Sequence, residues 1–141
     1  MRALLDVNVL LALFDQHHVA HQRASQWLKA AAADGWASCP ITQAGFVRII
    51  SGSSYGAGIK TAHAMEILAS ATADAHHEFW PADVDLTGTA VNRTHVLGPN
   101  QVTDAYLLAL AVAHNGRLVT FDQRIALTAV PGARPEHLLV L

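Results

Sequence analysis

Three of the eleven acidic residues in this 141-residue chain stand where an ionised carboxylate needs a reason. Asp6 interrupts MRALLDVNVLLAL, in which eight of the ten residues from Leu4 to Leu13 are apolar. Burying an unpaired charge there costs on the order of several kcal/mol, so something must compensate it. Asp122 closes the apolar run LVTF, and Asp104 falls in the first turn of a helical stretch that begins near Val102. Brought together, three carboxylates repel one another; either a pKa rises or a cation keeps them ionised. Carboxylate oxygens with room for water suit Mg²⁺ or Mn²⁺ rather than zinc. Beside a phosphodiester, a hydrated divalent ion activates water and neutralises charge in an in-line displacement. The chemistry open to these residues as a group is metal-dependent phosphodiester hydrolysis.

Whether they form a group depends on the elements that carry them. Arg2 to Val7 reads as a short buried strand, and Asn8 is placed to cap a helix starting at Val9. Val19 to Ala33 has helical spacing and stops at Asp34-Gly35. Trp36 to Cys39 reads as a second strand, and Thr42 as the cap of a helix through Ile50. SGSSYGAG is a flexible break before a helix over Ile59 to Ala73, with Ala62, Met65, Ile67, Leu68 and Ala69 as core candidates. His77 to Trp80 reads as a third strand and Leu86 to Val96 as a weak helix. Val102 to His114 is a strong helix closed by Asn115-Gly116. Leu118 to Phe121 and Leu138 to Leu141 read as the last strands.

Strands alternating with helices predict an α/β fold with a mostly parallel sheet of four or five strands. In such a sheet, ligands bind beyond the C-terminal strand ends, where the strand order reverses. Asp6 and Asp122 end strands, and the helix carrying Asp104 starts on that same edge, so all three are expected on one rim. Taken singly, each has a plainer reading: Asp6 as a cap or acceptor, Asp104 as helix-dipole stabilisation, Asp122 as a turn residue.

The length suits a single domain over residues 1–141. The chain is 52% apolar and 14% charged, enough for one substantial core and too little charge for disorder. A net charge of −2 is no nucleic-acid signature, though a local patch can still be positive. One cysteine, Cys39, rules out an intrachain disulfide and suits a reducing cytoplasm. No run of eighteen apolar residues predicts a membrane span. The interrupted N-terminal run lacks a signal-peptide pattern, so a cytoplasmic location is expected.

Four blocks, LLDVNVLLALF, SCPITQAGFVRIIS, FWPADVDL and QVTDAYLLALAVAHNGRLVTFD, together resemble the PIN-domain ribonucleases, most closely the VapC toxins of bacterial toxin–antitoxin pairs. The resemblance covers nearly the whole chain in order; TDAYLLALA…GRLVTFD is its most specific part. It implies a three-layer α/β/α fold, an acidic cluster that binds Mg²⁺ or Mn²⁺, and hydrolysis of RNA to 3′-hydroxyl and 5′-phosphate ends. Asp6, Asp104 and Asp122 match the acidic cluster, and Asn8 matches a polar position that supports the first aspartate. It further implies a homodimer held inactive by a VapB-type antitoxin. The antitoxin's tail would occupy a groove near the active site, and only the antitoxin would contact DNA. One residue departs from the pattern: Gln43 stands where the family usually has a glutamate. An amide offers a carbonyl oxygen but no charge and no general base. Two readings follow, a weakened but working site built on three aspartates, and an inactive antitoxin-binding module.

Other features carry less. His17 and His21 have the i, i+4 spacing of a helical metal pair, but nothing places a third ligand. His76 and His77 read as structural, and His114 as a helix C-terminal residue. Arg48, Arg93, Arg117 and Arg124 are candidates for phosphate contacts. Trp27, Trp36 and Trp80 sit in apolar patterns and read as core or dimer contacts. A phosphoryl-accepting aspartate fits poorly: the only lysines are Lys29 and Lys60, and Asn8 stands where a haloacid-dehalogenase-like site needs a second aspartate.

Overall fold

The computed structural model describes residues 1–141. Five strands form one sheet: β1 (Ala3–Leu5), β2 (Trp36–Ser38), β3 (His77–Phe79), β4 (Arg117–Thr120) and β5 (Leu138–Val140). Their order is β3-β2-β1-β4-β5 and every pairing is parallel. The chain leaves β1 in one direction and returns to β4 on its other side. The strand order therefore reverses between β1 and β4, as the α/β reading requires.

Five helices cover the sheet: α1 (Val7–Phe14), α2 (His21–Ala30), α3 (Pro40–Ile50), α4 (Thr61–Thr72) and α5 (Val102–Ala113). Alternation along β1 decides which side each residue serves. Ala3 and Leu5 pack with the apolar faces of α1 to α4, whereas Leu4 packs with α5, Trp80 and the segment around Val130. Both faces of the strand are buried, so it reads as continuous oil rather than as alternation. The result is the three-layer α/β/α arrangement. Helix α5 is buried from Ala105 to Ala111, which explains why its sequence is apolar nearly all round. No helix is long and apolar enough to cross a membrane.

Several boundaries differ from the sequence reading, each for a local reason. Helix α1 begins at Val7, because Asp6 rather than Asn8 is its N-cap. Helix α3 begins at Pro40, a favoured first helical residue, and Thr42 serves from the third position by accepting from the Cys39 N–H at 3.0 Å. No helix forms over Leu86 to Val96. The stretch holds three threonines, poor helix formers, and polar side chains in and beside it claim the backbone instead. Asp85 Oδ1 accepts from the Thr87 N–H at 2.8 Å, and Asn92 Oδ1 from the Thr94 N–H at 3.2 Å. His17 and His18 lie in turns before α2, so the His17–His21 pair shares no helix face. Met65, Ala62 and Ala69 are exposed on α4, while Leu68 is buried there. Tyr55 ties the 51–60 break to α1's end by donating to Asp15 Oδ2 at 2.7 Å. Trp36 and Trp80 are core residues; Trp27 is half-buried against the α1–α4 side.

Helix α3 crosses α1 closely, next to the residue that follows Asp6. A Cβ on Gly45 would stand 2.6 Å from Val7 Cγ2. Overpacking costs about 1–3 kcal/mol, more than the roughly 0.5–1 kcal/mol that alanine gains over glycine inside a helix. Gly45→Ala is therefore expected to lower the urea midpoint, and Val7→Ala in the same chain to recover part of the loss. An unchanged midpoint in the single variant would show that the two helices have room to spare.

Candidate active site

Asp6 follows β1 and opens α1, so its backbone and side chain serve two elements at once. Its N–H donates to the Val119 carbonyl at 3.0 Å, which locks it beside β4. Its Oδ1 accepts from the Val7 N–H at 2.6 Å. Its Oδ2 accepts from Thr120 Oγ1 at 2.7 Å and from Asn8 Nδ2 at 2.9 Å. Only 8% of the residue is exposed. The N-terminus of α1 favours a negative charge at this point.

Thr120, at the end of β4 and fully buried, is the hub that the sequence reading missed. Its hydroxyl donates to Asp6 and accepts from Asn8 Nδ2 and the Asp122 N–H, both at 3.0 Å. Asn8 completes the lattice, since its Oδ1 accepts from the Phe121 N–H at 3.2 Å. Starting α1 at Val7 leaves the Asn8 side chain free for this work. The only signal in the sequence was a lone hydroxyl in LVTFD, two residues before the aspartate.

Asp104 lies in the first turn of α5, where the helix dipole again favours an acid. Burial pushes its carboxyl above the ordinary value, and the charges of Asp6 and Asp122 push it further. Asp6 is raised as well, chiefly by burial and secondarily by Asp122, against the pull of Thr120, Val7 and Asn8. Neither Asp6 nor Asp104 takes part in any of the seven ion pairs. Asp122 differs. The guanidinium of Arg124 forks onto it, with Nε 3.0 Å from Oδ1 and Nη2 2.8 Å from Oδ2, and holds its carboxyl below the ordinary value. Asp104, Asp122 and Arg124 border one cleft of about 280 Å³ with residues 97–101. The three aspartates thus share the rim where the strand order reverses. No three His, Cys, Asp or Glu side chains close around one point.

Gln43 is on the same side of the sheet, one strand over, and bonds to none of the aspartates. Its Nε2 donates to Ser38 Oγ at 3.0 Å, and Ser38 Oγ lies 2.8 Å from His77 Nε2. Burial lowers the pKa of that imidazole. Gln43 also borders a groove of about 870 Å³ between α3 and α4, with Val47, Arg48, Met65 and Leu68 among its walls. This groove is larger than the cleft bordered by Asp104, Asp122 and Arg124, yet it holds none of the three aspartates.

A model of the PIN domain family matches residues 3–131. The chain is 59% identical to Ribonuclease VapC44 of Mycobacterium tuberculosis over 142 aligned positions, covering 100% of both chains. It is 47% identical to Ribonuclease VapC39 of the same organism, covering 94% of this chain and 96% of that one. Among solved structures, VapBC2 from Rickettsia felis, bound to a promoter DNA fragment, superposes with a TM-score of 0.66 at 19% identity, covering 100% and 99%. Mycobacterium tuberculosis VapC20, a toxin that cleaves the sarcin–ricin loop, superposes with a TM-score of 0.64 at 14% identity, covering 94% and 99%. At such identities the solved structures speak for the fold alone, whereas the full-length sequence identity speaks for kinship. With β1 and β4 presenting Asp6 and Asp122 at the reversal of a five-stranded parallel sheet, and with that kinship running end to end, the chain belongs to the VapC ribonucleases of the PIN-domain family.

Proposed function

We propose that this chain is an endoribonuclease toxin that hydrolyses RNA phosphodiester bonds with Mg²⁺ or Mn²⁺ held by Asp6, Asp104 and Asp122, Asn8 and Gln43 standing in support. One observation carries the reading: Asp6 and Asp104 are pushed up by burial and by neighbouring carboxylates, and no cationic side chain pairs with either. Charges in that situation call for a cation from outside. The donor set fits a hard divalent ion, because every candidate ligand is a carboxylate oxygen. Such an ion, when bound, polarises a phosphoryl oxygen and lowers the pKa of water. The chain's own residues do the positioning. Thr120 and Asn8 hold the Asp6 carboxylate in one orientation, and the starts of α1 and α5 aim two acids at the same rim.

The partners in this reading are an RNA substrate, a VapB-type antitoxin and a second copy of the chain, with DNA met only through the antitoxin. The VapBC2 neighbour supports the antitoxin, since that toxin was solved in a complex on promoter DNA. Residues 1–141 act as one domain, in the cytoplasm.

A second reading is favoured by Gln43, which is neutral and bonds to Ser38 instead of the aspartates. It makes the chain an inactive antitoxin-binding module. Cleavage of RNA by the unaltered protein with Mn²⁺ rejects it. Activity that is absent until Gln43→Glu restores the acid rejects the first reading.

Replacing Asp104 by Asn removes one of the repelling charges while keeping the shape. In the metal-free protein at neutral pH, Asp104→Asn is expected to raise Tm by a few degrees. A carboxyl whose folded pKa is raised costs stability when ionised. The gain should therefore be full above the raised value and fade as pH falls through it toward the unfolded value near 3.8. The same variant should lose RNA cleavage and the rise in Tm that Mn²⁺ gives the unaltered protein. A variant that keeps both would remove Asp104 from the site.

Thr120→Val should lower cleavage by about 10–100-fold, the usual effect of losing a residue that orients a metal ligand, while Thr120→Ser retains most of it. Equal activity in the Val variant would mean that the hydroxyl only fills space.

A further inference from the structure

Arg124 presents a puzzle that the reading above leaves open. Its side chain is 85% exposed, yet it is fixed to Asp122 by both arms of its guanidinium. Its own N–H also donates to Asp122 Oδ1 at 2.8 Å. The fork therefore ties up one of the three carboxylates on the rim. The pair is open to solvent mainly on the Arg124 side, so a competing cation at Asp122 would leave the guanidinium facing the cleft.

Position separates Arg124 from four other arginines. Arg2 pairs with Glu78, and Arg117 opens β4, both at the opposite end of the sheet from the aspartates. Arg134 faces Glu136, and Arg48 borders the α3–α4 groove. Arg124 is the one arginine in the cleft that also holds Asp104 and Asp122. Across that cleft, residues 97–101 form a mixed wall in which Asn100 and Gln101 carry polar side chains. A carboxylate and a phosphodiester present the same pair of oxygens to a guanidinium fork.

We propose that Arg124 is a phosphate clamp that changes partners: it holds Asp122 while the divalent cation is absent, and grips an RNA phosphate in the 97–101 cleft once the cation has taken Asp122. The inference rests on the ribonuclease reading above. The exchange conserves charge pairing, since the cation replaces the guanidinium on Asp122 and the guanidinium moves to the phosphodiester anion. It makes the two binding events reciprocal: the cation frees Arg124 for RNA, and RNA draws Arg124 away from Asp122 and so tightens the cation. It also gives the metal-free protein a built-in counter-charge for one of three clustered acids.

The test compares the unaltered protein with Arg124→Gln. Mn²⁺ alone is titrated by the magnetic resonance signal of the free ion. Binding of a short labelled single-stranded RNA of mixed sequence is followed by fluorescence anisotropy over a range of monovalent salt, with and without Ca²⁺, chosen to limit cleavage. Arg124→Gln is expected to bind Mn²⁺ about fivefold more tightly, at the low end of typical couplings. With Ca²⁺ present, its salt dependence of RNA binding should be shallower by about 0.7, the slope of one lost contact to a single strand. Without a divalent ion the two slopes should agree, because Arg124 is then engaged with Asp122. Unchanged or weaker Mn²⁺ binding, or a slope difference that persists without Ca²⁺, overturns the exchange while leaving the ribonuclease reading intact. Unaltered protein that binds neither Mn²⁺ nor RNA overturns both.

Discussion

Asp6 and Asp104 carry like charges into a half-dry rim, and every group bonded to Asp6 there is neutral: a backbone N–H, a hydroxyl and an amide. Neutral donors hold the carboxylate in place but leave its charge unbalanced. The helix dipoles of α1 and α5 offset part of it, yet each is worth only about 0.3–1 kcal/mol at an exposed helix start. That is too little to cancel the burial of two acids beside a third. The apo rim is therefore under electrostatic load; Arg124 relieves it by direct pairing at Asp122 and, through its charge at longer range, in part at Asp104. A site loaded in this way has the character of functional sites generally, where perturbed carboxylates are gathered rather than separated.

The fold makes this possible through topology more than through any single contact. Parallel strands all end on one side, so α1 and α5 both begin there. The reversal of strand order between β1 and β4 opens the gap in which Asp6 and Asp122 meet. The core beneath is dry on both faces of β1, and that rigidity fixes the strand ends on which the acids sit. Thr120 then converts the strand end into a site. A hydroxyl can donate and accept together, so this one group sets the orientation of Asp6, Asn8 and the Asp122 backbone.

Gln43 brings a neutral amide to the start of α3, close to the strand it follows. An amide can donate where a carboxylate cannot, and Gln43 uses that capacity to bond Ser38 at the C-terminal end of β2. The residue belongs to the lattice that joins α3 to β2 and β3, rather than to the lattice around Asp6. Its side chain also borders the mostly apolar groove between α3 and α4.

Much of this was legible in the residues alone. Alternating apolar runs and helical spacing are local signals, so the parallel α/β sheet, the buried α5 and the three acids on one rim could be read without coordinates. Local competition defeated the reading at Leu86–Val96, where Asp85 and Asn92 take the backbone donors a helix would use. It also misplaced the first cap, because Asn8 and Asp6 are both good caps and only the partner strand decides between them. What tertiary structure alone decided is which groups touch across more than a hundred residues. Thr120 meets Asp6 and Asn8 because β4 lies against β1. Residue types set what chemistry was available; strand adjacency, which no local pattern encodes, chose the partners.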